Sequence, residues 1–146
     1  MQLPLWFIVN FSLAFLVCGF AMWRGGRPER FAGALFLAIS IITFLLPDRR
    51  WMDVQYTIMW LDIGYWLILV GLALVADRWW TLWMAGLQGV GVLLHLAFWA
   101  QMKITSLAYS TGLNMVGYTL MIPLLVGTIT YVLRQRRLDL TKSQTA

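Results

Sequence analysis

Five stretches of this chain are apolar over the length a helix needs to cross about 30 Å of hydrocarbon, and no other feature limits its fold as severely. They extend over Leu5 to Met22, Phe31 to Leu46, Tyr56 to Ala76, Trp80 to Gln101 and Leu107 to Leu133. The second is short and the fifth long. Local thinning of a bilayer accommodates the first departure, and tilt or a bend at Pro123, which removes a backbone hydrogen bond, accommodates the second. Between the third and fourth runs only Asp77 and Arg78 break the apolar pattern. Two adjacent charges beside Trp79 and Trp80 read as a tight interfacial turn, since one continuous helix would be far too long. The expected fold is all-α: a polytopic bundle of five transmembrane helices.

Composition agrees. With 61% hydrophobic residues, 12% charged residues and a mean hydropathy of +0.75, the chain is far from the balance of a soluble domain. Its 146 residues suffice for one bundle, residues 1–137, followed by a short polar tail, 138–146, expected to be disordered and cytoplasmic. The start Met1-Gln2-Leu3-Pro4 has no basic region and no convincing cleavage site follows, so the first run is expected to remain as a membrane helix. Cys18, the single cysteine, forms no internal disulfide and serves as small apolar packing.

The net charge of +5 does not point to nucleic acid, because the basic residues flank apolar runs, where they set topology and meet anionic lipid. Of the 11 basic residues, eight fall on one side: Arg24, Arg27, Arg30, Arg78, Arg134, Arg136, Arg137 and Lys142. Arg49, Arg50 and Lys103 fall on the other. This asymmetry predicts an N-terminus outside and a C-terminus in the cytoplasm. The aromatic belts agree, with Trp6, Trp51 and Trp99 near the outer interface and Trp23, Trp79, Trp80 and Trp83 near the inner one.

Asp62, in the middle of an apolar run, is the costliest residue in the sequence, and charged groups in membrane spans mark functional sites more often than not. Each other run carries a polar residue at a comparable depth: Asn10 roughly 8 Å from its outer end, and Ser40, His95 and Asn114, like Asp62, about 9 to 11 Å from theirs. Helical spacing adds Tyr65 beside Asp62, Tyr118 and Ser110 beside Asn114, Thr43 beside Ser40, and Gln88 with Gly91 on the face of His95. Asp62 and His95 lie on consecutive antiparallel helices, within reach of each other. The candidate binding layer is therefore Asn10, Ser40, Asp62, Tyr65, His95, Asn114 and Tyr118.

Two readings of that layer stay open. In one, the groups tie each other together, because an unpaired polar group in hydrocarbon costs several kcal/mol. In the other, Asp62 and His95 bind a polar substrate or exchange a proton. No cofactor or metal is assigned: one histidine does not supply two imidazoles to a b-type haem, Cys18 lies too far inward, and Met59 and Met115 read as packing. No catalytic signature is present, neither paired carboxylates, nor HExxH, nor a phosphate-cradling glycine loop. Arg24-Gly25-Gly26-Arg27-Pro28-Glu29-Arg30 reads as an ordinary hairpin carrying topology charges, and Pro47 to Asp53 as a solvated interfacial loop.

The stretch from Asp77 to His95, with Arg78-Trp79-Trp80, Leu82-Trp83, Ala85-Gly86, Gln88 and His95-Leu96, resembles a pattern in small uncharacterised multi-pass proteins of alphaproteobacteria. The resemblance covers the C-terminal half. It implies a bacterial inner-membrane location, no known activity, and no active-site residue to carry over. Two function classes follow from the residues. The first is an accessory or interaction protein, or a small subunit of a membrane complex, with a membrane-protein partner or a second copy beside it. The second is a small carrier, receptor or proton-linked binding protein built around Asp62 and His95.

Overall fold

The computed structural model describes residues 5–45, 56–100 and 104–145; the loop 47–53 and Lys103 lie outside them. The described residues form five α-helices and no strand: α1 (Leu5–Arg24), α2 (Arg27–Leu45), α3 (Tyr56–Val75), α4 (Trp79–Trp99) and α5 (Ser106–Thr145). Each helix packs against the next, α5 closes the ring against α1, and α5 also touches α2.

Local chemistry explains the helix ends. α1 stops at Gly25, whose amide still donates to Ala21 O at 2.9 Å. A methyl group at position 25 would meet Ala21 O and lie 2.6 Å from Glu29 Cβ, so only glycine fits this turn. α2 restarts at once, with Pro28 in its first turn, where a missing amide donor costs little. The expected turn at Asp77-Arg78 separates α3 from α4, and the Thr81 hydroxyl donates to Arg78 O at 2.5 Å. Thr105 starts α5, its hydroxyl accepting the Ala108 amide at 3.3 Å as an N-cap.

The core follows helical spacing: Ala14, Val17, Cys18 and Ala21 on α1, Ala32 and Phe36 on α2, Tyr65 and Leu69 on α3, Trp80 and Met84 on α4, and Leu120, Met121 and Leu124 on α5. Small residues bring backbones close, as they do where lipid leaves no hydrophobic drive between helices. A methyl group added to Gly33 of α2 would touch Ala21 Cβ at 3.2 Å. The Trp80 ring lies against Gly127, where an added methyl would come within 2.6 Å of it.

Polarity is inverted relative to a water-soluble bundle. Glu29, Thr81, Gln88, His95 and Thr128 are buried, while Leu74 is 82% and Val75 is 87% exposed. Four helices, α2 to α5, are each long and apolar enough to cross a membrane, and the described apolar part of α1, Phe11–Arg24, is shorter. α5 departs from expectation at its far end. Its 40 residues, about 60 Å of helix, run through segment 138–145, where the sequence suggested a disordered tail. From Leu133 onward this extension is exposed, so its intrinsic helical preference and continuity with the buried part hold it, not packing.

Candidate functional site

α3 and α4 are antiparallel and joined by a tight turn, so residues at equal distances from that turn come level. Asp62 lies about four turns before it and His95 between about four and five turns after it. His95 Nε2 is 2.8 Å from Asp62 Oδ2. Two further contacts sew the same seam: Gln88 Nε2 donates to Asp62 O at 3.5 Å, and Trp66 Nε1 donates to Ala85 O at 3.0 Å. Trp66 reaches that carbonyl over Gly89, where a methyl would sit 3.1 Å from the indole nitrogen.

The other ring nitrogen of His95 is also engaged. Tyr109 on α5 brings its hydroxyl to 2.6 Å from His95 Nδ1. Phe98 stacks on the Tyr109 ring at 4.2 Å and 11°, which fixes the phenol's direction. His95 is 0% and Tyr109 1% exposed, whereas the Asp62 side chain keeps 19% exposure. Three helices thus contribute to one node: a fully buried imidazole held at both nitrogens, with its carboxylate reaching the surface.

The donors follow from the partners. An ionised Asp62 only accepts, so Nε2–H donates to it, and a neutral ring then leaves Nδ1 to accept the Tyr109 O–H. A proton arriving at Nδ1 would need its own acceptor. The Tyr109 hydroxyl would have to turn its hydrogen away and present a lone pair, so proton uptake by His95 reverses one hydrogen bond at a defined atom. The arrangement thus ties the protonation of the imidazole to the direction of one phenol hydroxyl, next to a partly exposed carboxylate.

The remaining residues of the polar layer do not join the node. Ser40 Oγ donates to Phe36 O at 2.8 Å and Asn114 Nδ2 to Ser110 O at 2.8 Å, each within its own helix. Tyr65 turns into the core against Phe36, with ring centroids 6.4 Å apart, and its hydroxyl has no hydrogen-bond partner among the described residues. Tyr118 is half-buried on α5. Asn10 lies on α1, and its side chain is outside the described residues.

Tyr109 is the residue that sequence reasoning missed, and a signal for it exists. His95 stands just over a turn before the end of α4 and Tyr109 about a turn into α5, so a short connection brings them level. A second omission is Glu29. Within the hairpin read as ordinary, its side chain is fully buried and neither carboxylate oxygen has a hydrogen-bond partner among the described residues. No group of three or more potential metal ligands occurs among the described residues.

An all-helical bundle with an apolar exterior, buried polar groups and four helices able to cross a bilayer has the character of a multi-pass membrane protein. No family model, curated protein or solved structure matches the chain at a significant level.

Proposed function

We propose that this chain is a five-span protein of the bacterial inner membrane, with its N-terminus outside, that uses Asp62, His95 and Tyr109 as a proton-linked site in the outer half of the bilayer. One observation carries the reading: the only histidine of the chain is wholly buried and hydrogen-bonded at both nitrogens, to a carboxylate at 2.8 Å and a phenol at 2.6 Å. A structural knot could be made from asparagine and serine. An imidazole between a carboxylate and a phenol is instead a group whose charge changes with one proton and whose two neighbours respond to it. Asp62 and Tyr109 are its hydrogen-bond partners, and Gln88 donates to the backbone carbonyl of Asp62.

Because the chain has one histidine, protein labelled with ¹⁵N only at histidine gives a single pair of ring-nitrogen signals. The expected result is the tautomer protonated at Nε2, with the Nδ1 signal moving in Tyr109→Phe. Equal populations of the two tautomers, or an Nδ1 signal unmoved in that variant, would contradict the hydrogen bonds on which the reading rests.

A second reading, a small subunit of a membrane complex, is favoured by the 19% exposure of Asp62 in the lone chain, since an intramembrane carboxylate calls for cover. Native mass spectrometry after gentle extraction separates the two. A stoichiometric partner supports the subunit, and a bare monomer that keeps the Nε2-protonated tautomer supports the self-contained site.

A further inference from the structure

We propose that the opposite end of the bundle is a binding site for the phosphate headgroup of an anionic phospholipid, held by Arg30, Arg78 and Arg134 around Tyr131. It lies about 25 Å along α4 from the histidine node. Three segments distant in sequence meet there. Tyr131 of α5 packs at the α1–α2 hairpin, so that a methyl at Gly26 would lie 2.8 Å from its Cε2. The Arg78 guanidinium, from the α3–α4 turn, stands over the same ring at 5.8 Å. Arg30 is anchored to the hairpin by its Nε, which donates to Gly25 O at 2.9 Å. Arg134, one turn beyond Tyr131, shares its side of α5.

The charge balance points to an anion. Among the described residues none of these three arginines forms an ion pair with an acid. The hairpin's own carboxylate, Glu29, is fully buried beside the same ring, its Oε2 lying as close to a methyl at Gly26 as Tyr131 Cε2 does, yet it forms no ion pair with these arginines among the described residues. α2 and α4 both begin at this end, and α4 has neither a side-chain cap at Arg78 nor an acidic residue in its first turn. The C-terminal ends of α1 and α3 lie at the same end and offset those positive ends, so the positive charge there is that of the arginines themselves. Guanidinium groups suit phosphate because their planar fork donates two parallel hydrogen bonds.

The lipid, rather than a free anion, is the occupant that the surroundings favour. Trp79, next to Arg78, is 54% exposed, and Leu74 and Val75 beyond the turn are almost wholly exposed. An aromatic ring at headgroup depth above an apolar surface is where a phospholipid places its glycerol and acyl chains.

The test uses the full-length protein in a neutral detergent, with phosphatidylglycerol, phosphatidylcholine or inorganic phosphate added and bound lipid read by native mass spectrometry. Phosphatidylglycerol is expected to be retained in preference to phosphatidylcholine from an equimolar mixture. Each of Arg30→Gln and Arg78→Gln should weaken that retention about fivefold, the factor for one basic residue near an anionic surface. Equal retention of the two lipids overturns the proposal, as does undiminished retention in both variants. Full competition by inorganic phosphate overturns the lipid in favour of a free anion. Should the glutamine variants not fold, Arg30→Lys and Arg78→Lys keep the charge and lose the fork. Their retention should fall between wild type and none, and wild-type retention in them would also sink the assignment.

Discussion

The two ends of the bundle treat their polar groups in opposite ways. At the node, Asp62, His95 and Tyr109 satisfy one another across three helices, while the side chains of Ser40 and Asn114 bond within their own helices. At the hairpin end, among the described residues, the arginines form no ion pair and the buried Glu29 carboxyl has no hydrogen-bond partner. Depth accounts for the difference. Within the hydrocarbon there is no external donor or acceptor, so a polar group must be paired by the chain itself. At the interface, water and headgroups are available, and pairing can be left to the surroundings.

Breaking the node should cost most. His95→Ala removes the partner of two polar groups and opens a cavity in a fully buried position, a loss of about 4 kcal/mol. Thermal unfolding in detergent measures it, and a melting temperature equal to wild type would show that the node contributes nothing to the fold. Asp62→Asn keeps the shape and an acceptor oxygen while removing the charge. It should destabilise by about 1 to 2 kcal/mol, the scale of a hydrogen bond between membrane helices, and should shift the His95 Nε2 signal seen by ¹⁵N resonance. Tyr109→Phe leaves Nδ1 without its donor at a cost of about 1 kcal/mol. Combined with His95→Ala in a double-mutant cycle, its effect should vanish, because the partner is already gone.

At the hairpin end the sign should reverse. Glu29→Met replaces an unpartnered buried carboxyl with an apolar chain of similar length, and should stabilise the fold by about 1 kcal/mol in chemical denaturation in mild detergent. A clear loss of stability would mean that Glu29 has a partner in the membrane. Smallest of all, Arg30→Gln at an exposed position should shift lipid-free stability by less than about 0.5 kcal/mol, and Arg78→Gln, which also loses the contact over Tyr131, by about 0.5 to 1 kcal/mol. A larger loss would mean that the arginines support the fold directly.

The helices were legible because hydrophobic length is a local property, and each apolar run carries its own answer. The pairing of Asp62 with His95 was legible for a related reason, since a turn of three residues leaves antiparallel neighbours little freedom of register. Tyr109 was hidden because its depth depends on where α5 begins, and the apolar run gives no sharp start there; the cap at Thr105 decides it. Ser40 and Asn114 appeared available for a shared layer, yet short polar side chains in a helix reach the carbonyl one turn back more readily than a neighbouring helix. The end of α5 was misjudged because polarity was taken as a sign of disorder. Exposed residues with adequate helix propensity extend a helix that is already nucleated.

The seat of Trp80 on Gly127 has a consequence for descent. The ring is buried and cannot retreat, so no lineage can enlarge position 127 while keeping tryptophan at position 80. The two sites are bound to drift together or not at all. Among relatives of this chain, an alanine or serine at position 127 should therefore come with a smaller residue at position 80, a paired change that would reveal the contact between α4 and α5 from sequences alone.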